Sequence, residues 1–163
     1  MKREQKIYCD MDGVLADFAG KRKAVERFHK EKGFFQKLKP IKSSLQAIRY
    51  LIDRGYDVNI LTASPNEQAD YDKRKWLEKY LPELDQRKII IVRLGEDKAD
   101  YVDTENAILI DDYTTNLIKF HLQGGKVLKF VNKRDKEIGK HTKYGFPYSK
   151  DLRKTFHAYP KGI

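Results

Sequence analysis

The residues Ile7-Tyr8-Cys9-Asp10-Met11-Asp12-Gly13-Val14 constrain this chain more than any other stretch. An apolar run leads straight into two carboxylates one residue apart, and a glycine follows. Residues 6–10 suit a short strand buried on both faces, with Gly13 as the turn residue after it. Open parallel sheets bind their ligands outside the carboxyl ends of the strands, so a buried strand ending in paired carboxylates points to a site.

The rest of the chain alternates between strand and helix signals. From about 17 to 32 the pattern predicts a helix with Phe18, Val25 and Phe28 on one face and a basic opposite face. Ser43 with Gln46 reads as a capping box that opens a helix lined by Leu45, Ile48, Leu51 and Ile52, and Gly55 closes it. Asp57 to Thr62 is a second strand. Ser64-Pro65-Asn66-Glu67 then starts a helix, with proline at the first helical position and Glu67 completing the box, running through Trp76 and Leu77 to Pro82. Lys88 to Val92, Ala107 to Ile110 and Val127 to Val131 read as three further strands. Leu117, Ile118 and Leu122 mark a helix closed by Gly124-Gly125.

This order predicts an α/β fold, Rossmann-like, with a five-stranded, mostly parallel sheet flanked by helices. One domain is expected over residues 1–163. It carries a short insert after the first strand, about 18–34, and a basic, tyrosine-rich tail from about 133 to 163. The tail packs on the sheet edge, lies over the site or frays; sequence does not choose among these.

With 40% hydrophobic residues in 163, the chain has enough apolar content for one sizeable core. Its 34 basic and 24 acidic residues leave a net charge of +10, which favours anionic partners such as phosphates, nucleotides or nucleic acid. Cys9 is the only cysteine, which excludes a disulfide within the chain and fits a buried small hydrophobe. No window approaches a membrane span, so a soluble, cytoplasmic protein without membrane contact is expected.

Three predicted strands end in polar groups: Asp10 and Asp12 after the first, Thr62 on the second, Asp111 and Asp112 after the fourth. Carboxylates of this kind suit a hard cation, Mg2+, which takes oxygen ligands from one or two carboxylates plus phosphate and water. The four histidines are scattered, so no zinc cluster is present, and the glycine-rich phosphate loops and the calcium-loop spacing are absent. With metal bound, Asp10 can attack phosphorus and Asp12 can protonate the leaving oxygen and then activate water.

This constellation resembles the haloacid dehalogenase-like phosphatases from about residue 6 to 131. The residues are Asp10-Met11-Asp12-Gly13-Val14, Thr62 after an apolar strand, Lys98, and Asp111-Asp112. Within that superfamily it is most similar to the 5′(3′)-deoxyribonucleotidases. Asp12 to Phe18, Gly33-Phe34-Phe35, Leu38, Pro40, Thr62 to Pro65, Lys75-Trp76, Leu81 and Asp97-Lys98 carry that likeness. The resemblance implies Asp10 as nucleophile, Asp12 as acid and base, and Thr62 and Lys98 on the transferring phosphoryl group. It also implies Phe18 against the nucleoside. Magnesium would be held by the Asp10 side chain, the Asp12 carbonyl and one of Asp111 and Asp112. Asp111 is the preferred ligand with Asp112 behind it, and the pair is interchangeable. Two departures stand out. The insert is shorter than the family's usual cap and admits larger substrates. Ala63 follows Thr62 where relatives often carry a phosphate-binding serine, so Ser64 either compensates or caps the next helix.

The expected function is a magnesium-dependent phosphomonoesterase acting on nucleotide monophosphates through a phosphoaspartyl intermediate. The alternatives are the same chemistry on polynucleotide ends or other bulky phosphoesters, and a non-catalytic basic nucleic-acid-binding module. The basic and aromatic run from Lys140 to Tyr148 motivates the last.

Overall fold

Alternation along the first strand sets up the layers of the molecule, a computed structural model that describes residues 5–18, 31–132 and 144–158. In β1 (Lys6–Cys9), Ile7 and Cys9 face one core and Tyr8 the other. Such a strand is buried on both faces, and only parallel pairing with helices on each side covers it. Tyr8 is therefore core, edge-on to Phe120 at 6.1 Å, and Cys9 is a buried thiol, as expected.

The strands that follow are β2 (Asp57–Ser64), β3 (Ile89–Arg93), β4 (Ala107–Asp111), β5 (Lys126–Phe130) and β6 (Tyr148–Ser149). They form one sheet in the order β3-β2-β1-β4-β5-β6, and every pairing is parallel. The helices are α1 (Lys42–Asp53), α2 (Glu67–Tyr80), α3 (Thr114–Leu122) and α4 (Leu152–Ala158). Apolar residues of α1, α2 and α4 share the core of Ile7 and Cys9, whereas Leu117 and Phe120 of α3 share that of Tyr8. The result is a three-layer α/β/α, Rossmann-like fold. Its sixth strand comes from the tail, which extends the sheet edge through Lys129↔Tyr148 and Phe130↔Ser149.

Gly55 closes α1 in the left-handed region at φ +78°, as its position predicts. Two helix starts differ from expectation. α1 begins at Lys42 behind Ile41, with no side-chain cap from Ser43. The loop from the first strand fixes this start instead, because Ile41 N donates to Leu15 O at 2.7 Å and Pro40 pairs with Ala16. Ser64 does not cap α2 either: it ends β2 opposite Arg93, and the Asn66 side chain accepts from Ala69 N at 2.9 Å. The edge strand β3 draws β2 out to Ser64, which moves the cap two residues on.

The strand order reverses between β1 and β4, and such a switch point is where ligands lodge in open α/β sheets. The helix expected over 17–32 falls mostly outside the described residues, as does the tail over 133–143 and 159–163. No described helix is long and apolar enough to cross a membrane.

Candidate active site

Asp10 continues the β1–β4 ladder by donating its N–H to Ile110 O at 2.9 Å, which sets it beside Asp111 at the end of β4. Strand alternation points both side chains to the face of Tyr8 and Leu109. The short helical turn Lys98–Tyr101 packs on that face, started by Asp97, whose carboxylate accepts from Ala99 N at 3.1 Å. Lys98 therefore enters the crevice buried. Its Nζ lies 2.8 Å from Asp10 Oδ1 and 2.8 Å from Asp111 Oδ2. Burial works against the Lys98 charge, but the two carboxylates outweigh it and hold the ammonium above its ordinary range. Burial pushes Asp10 up to about 7, with Lys98 pulling it down and Asp111 and Asp12 adding to the rise.

Asp111 is fully buried and its oxygens are engaged. Besides Lys98, it accepts from Tyr113 N at 2.8 Å and Asn116 Nδ2 at 3.0 Å. The Asp112 carboxylate takes no hydrogen bond among the described residues, and burial with Asp111 and Asp10 nearby raises its pKa well above the ordinary range. A second lysine, Lys129, supports this loop from β5: its Nζ donates to Asp112 O at 2.6 Å and Thr114 Oγ1 at 2.8 Å.

Carboxylate oxygens of Asp10, Asp111 and Asp112 lie within 4.8 Å of one another. Crowded oxygens, raised pKa values at Asp10 and Asp112, and one carboxylate lacking a donor among the described residues fit a hard divalent cation. Gly13 packs on this cluster. At φ +84° it occupies the left-handed region, and a Cβ built there would lie 2.0 Å from Asp112 Oδ2. Gly13→Ala is thus expected to cost about 1–2 kcal/mol in backbone conformation alone and to displace Asp112 as well. Urea denaturation should show the loss of stability.

Asp12 sits on the opposite flank, in the Met11–Ala16 turn that Gly13 N closes on Ala16 O at 2.8 Å. Its Oδ2 is ion-paired with Lys73 of α2, a lysine with no solvent exposure. The same Nζ donates to Thr62 Oγ1 at 2.9 Å and Ala63 O at 2.5 Å. Lys73, which was not among the residues expected at the site, thus links Thr62 to Asp12.

Lys73 had a signal. It lies on the buried stripe Ala69-Asp72-Lys73-Trp76-Leu77 of α2, where the helical period calls for apolar residues. Lysine is almost never fully buried unless paired. Its neighbour Asp72 ties α2 to the segment after the insert, accepting from Gly33 N at 2.8 Å and Gln36 Nε2 at 2.7 Å.

The two remaining expected contacts are placed as follows. Phe18 joins an aromatic cluster at the root of the insert, 6.2 Å from Phe34 and 6.5 Å from Phe35, and stays partly buried. Ser64 is fully buried, and its hydroxyl donates to Asn66 O at 3.1 Å. That bond commits Ser64 to the turn, so it does not replace the serine missing after Thr62.

Taken together, a carboxylate, Asp10, lies beside a cation and a carboxylate cluster that could hold a metal, with a second carboxylate across the mouth. Such an arrangement can neutralise phosphoryl oxygens and offers a carboxylate able to attack phosphorus.

The fold is shared widely among solved structures. A D,D-heptose 1,7-bisphosphate phosphatase from Burkholderia thailandensis is 16% identical with a TM-score of 0.67, covering 98% of this chain and 100% of its own. The enzyme of that name from B. bronchiseptica, complexed with magnesium and phosphate, is 13% identical with a TM-score of 0.66, covering 96% and 98%. A haloacid dehalogenase-like family hydrolase from Streptococcus pneumoniae is 14% identical with a TM-score of 0.69, covering 98% and 100%. No curated protein matches the sequence. Residues 21–140, most of the chain, match the family described as "5' nucleotidase, deoxy (Pyrimidine), cytosolic type C protein". The match begins after Asp10 and Asp12, so those two rest on geometry. The chain shares the fold of a haloacid dehalogenase-like hydrolase, belongs to this nucleotidase family and is a hydrolase of phosphoric monoesters.

Proposed function

We propose that this hydrolase is a magnesium-dependent phosphatase of deoxyribonucleoside monophosphates, working in the cytosol through a phosphoaspartyl intermediate on Asp10. The observation that carries the reading is the buried Lys98 held between Asp10 and Asp111, with Asp112 close by and unpartnered among the described residues. Family membership supports the nucleotide substrate.

Asp10, Asp112 and the Asp12 carbonyl would hold magnesium. Asp112 takes the ligand role because Asp111 already accepts from Lys98, Tyr113 and Asn116. This reverses the order preferred from sequence. Bound there, magnesium supplies charge stabilisation to the phosphoryl oxygens. Lys98 has three N–H groups and spends two on carboxylates, which leaves one for a phosphoryl oxygen. Thr62 is proposed to hold a phosphoryl oxygen: its Oγ1 accepts from Lys73 and keeps its own O–H to donate. The Asp10 carboxylate attacks phosphorus in line with the ester oxygen, and Asp12 protonates that oxygen as it leaves. Asp12 then takes a proton from the water that cleaves the phosphoaspartate. Phe18, at the root of the insert, is proposed to meet the nucleoside.

The test is phosphate release with magnesium across nucleoside 5′- and 3′-monophosphates, a 5′-phosphorylated oligonucleotide and para-nitrophenyl phosphate. Deoxyribonucleoside monophosphates are expected to give the highest kcat/KM. Preference for the oligonucleotide would overturn the substrate, and no release from any ester would overturn the reaction.

A further inference from the structure

Two of the buried lysines near the site differ in what their N–H groups have left to give. Lys98 has one to spare, as above. Lys73 has none, because its Nζ donates to Asp12 Oδ2, Thr62 Oγ1 and Ala63 O, all within the protein. It is also packed beneath the site rather than in it: Nζ lies 4.5 Å from the centre of the Phe35 ring, and the residue has no exposure. A phosphoryl oxygen therefore has no N–H of Lys73 to bind.

The consequence falls on Asp12. With Oδ2 fixed by the ion pair, the carboxylate cannot rotate freely. Its other oxygen, Oδ1, is buried and has no hydrogen-bond partner among the described residues. A buried oxygen of this kind calls for a partner, which the described residues do not supply. The departing ester oxygen and its proton would be that partner.

We propose that Lys73 is the positioning residue for the acid–base carboxylate. It pins Asp12 Oδ2 against the end of β2 so that Oδ1 is the oxygen that carries the proton. This inference rests on the phosphoaspartyl reading. As the bond from Asp10 to phosphorus forms and the bond from phosphorus to the ester oxygen breaks, the proton on Asp12 Oδ1 passes to the departing oxygen. Water then attacks the phosphoaspartate, gives a proton back to Asp12, and frees Asp10 and inorganic phosphate. Lys73 touches no reacting atom and exchanges no proton. It fixes which Asp12 oxygen does, and its bonds to Thr62 and Ala63 keep that oxygen in register with the phosphoryl site.

Leaving-group dependence separates this role from a merely structural one. An alkoxide needs a proton as it departs, whereas para-nitrophenolate leaves without one. The experiment measures kcat/KM of the chain with magnesium, wild type, Lys73→Met and Lys73→Arg. The two substrates are para-nitrophenyl phosphate and whichever alkyl phosphate monoester the panel above identifies. For Lys73→Met, kcat/KM on the alkyl ester is expected to fall about 100-fold, the low end of acid–base contributions, against less than about 5-fold on the aryl ester. The constant kcat/KM covers the steps through phosphoaspartate formation, whereas kcat also includes its breakdown, which the two esters share. Lys73→Arg is expected to recover part of the loss. The ratio of the two kcat/KM values does not depend on the fraction of protein folded, so a destabilised variant still reports. Equal losses of kcat/KM on both esters would overturn the assignment while leaving the phosphatase reading intact. A wild-type protein silent on both esters would overturn the phosphatase reading, and the role of Lys73 with it.

Discussion

Asp10→Asn is expected to abolish phosphate release and, in the metal-free protein, to raise thermal stability at pH 8. The first effect follows from the proposed role: an amide cannot form the phosphoaspartate, Asp111 is tied up by Lys98, Tyr113 and Asn116, and Asp112 is the proposed metal ligand. The second follows from charge. Asp10 titrates near 7 in the fold against 3.8 for an ordinary aspartate, with burial as the leading cause. Between those values the folded chain holds more protons than the unfolded one, so stability is full below about pH 4 and is lost as pH rises through 7. Each pK unit corresponds to about 1.4 kcal/mol, so the loss is on the order of a few kcal/mol. Removing the charge restores it. Melting in the presence of a chelator should place the variant several degrees above wild type at pH 8, with the gap closing near pH 4. A variant less stable than wild type at pH 8 would show that the Lys98 ion pair outweighs the crowding.

Lys98→Met carries the second large effect. Methionine matches the stem but leaves Asp10 and Asp111 facing each other with no cation between them. Breaking a buried pair by removing one partner costs about 3–5 kcal/mol, and the loss of the donor to the phosphoryl group costs about 100- to 1,000-fold in kcat. The two losses should respond differently to magnesium. Millimolar magnesium is expected to restore much of the melting temperature, since the cation can neutralise the same carboxylates, but not kcat. Lys98→Arg is not expected to rescue either, because a planar guanidinium does not fit the point-charge position between two carboxylates. Melting curves and kcat, each with and without magnesium, check both halves. Recovery of kcat with magnesium would mean that Lys98 only balances charge.

The layers and the strand ends were legible because they follow from local patterns. Apolar runs bounded by turn residues located the five long strands, and polar residues at the ends of three of them located the crevice. What sequence could not supply was spatial competition for hydrogen bonds. Ser43 and Ser64 fit capping boxes, yet the loop through Pro40 sets one helix start and the pairing of β2 with β3 sets the other. Asp111 and Asp112 are identical as letters, and only the donors around Asp111 separate them. Lys73 and Lys129 sit on apolar stretches of α2 and β5, where a lone lysine reads as noise until its partners are seen. The two-stranded contact of β6 is too short for any period to reveal.

Direct detection of a phosphoryl group on Asp10 tests the central claim. Enzyme turning over para-nitrophenyl phosphate with magnesium is quenched in acid within milliseconds, trapped with borohydride and read by peptide mass spectrometry. The trapped product is expected at position 10 in wild type and nowhere in Asp10→Asn. Multiple turnovers with no trapped product at Asp10, together with an Asp10→Asn variant that releases phosphate at the wild-type rate, would contradict it.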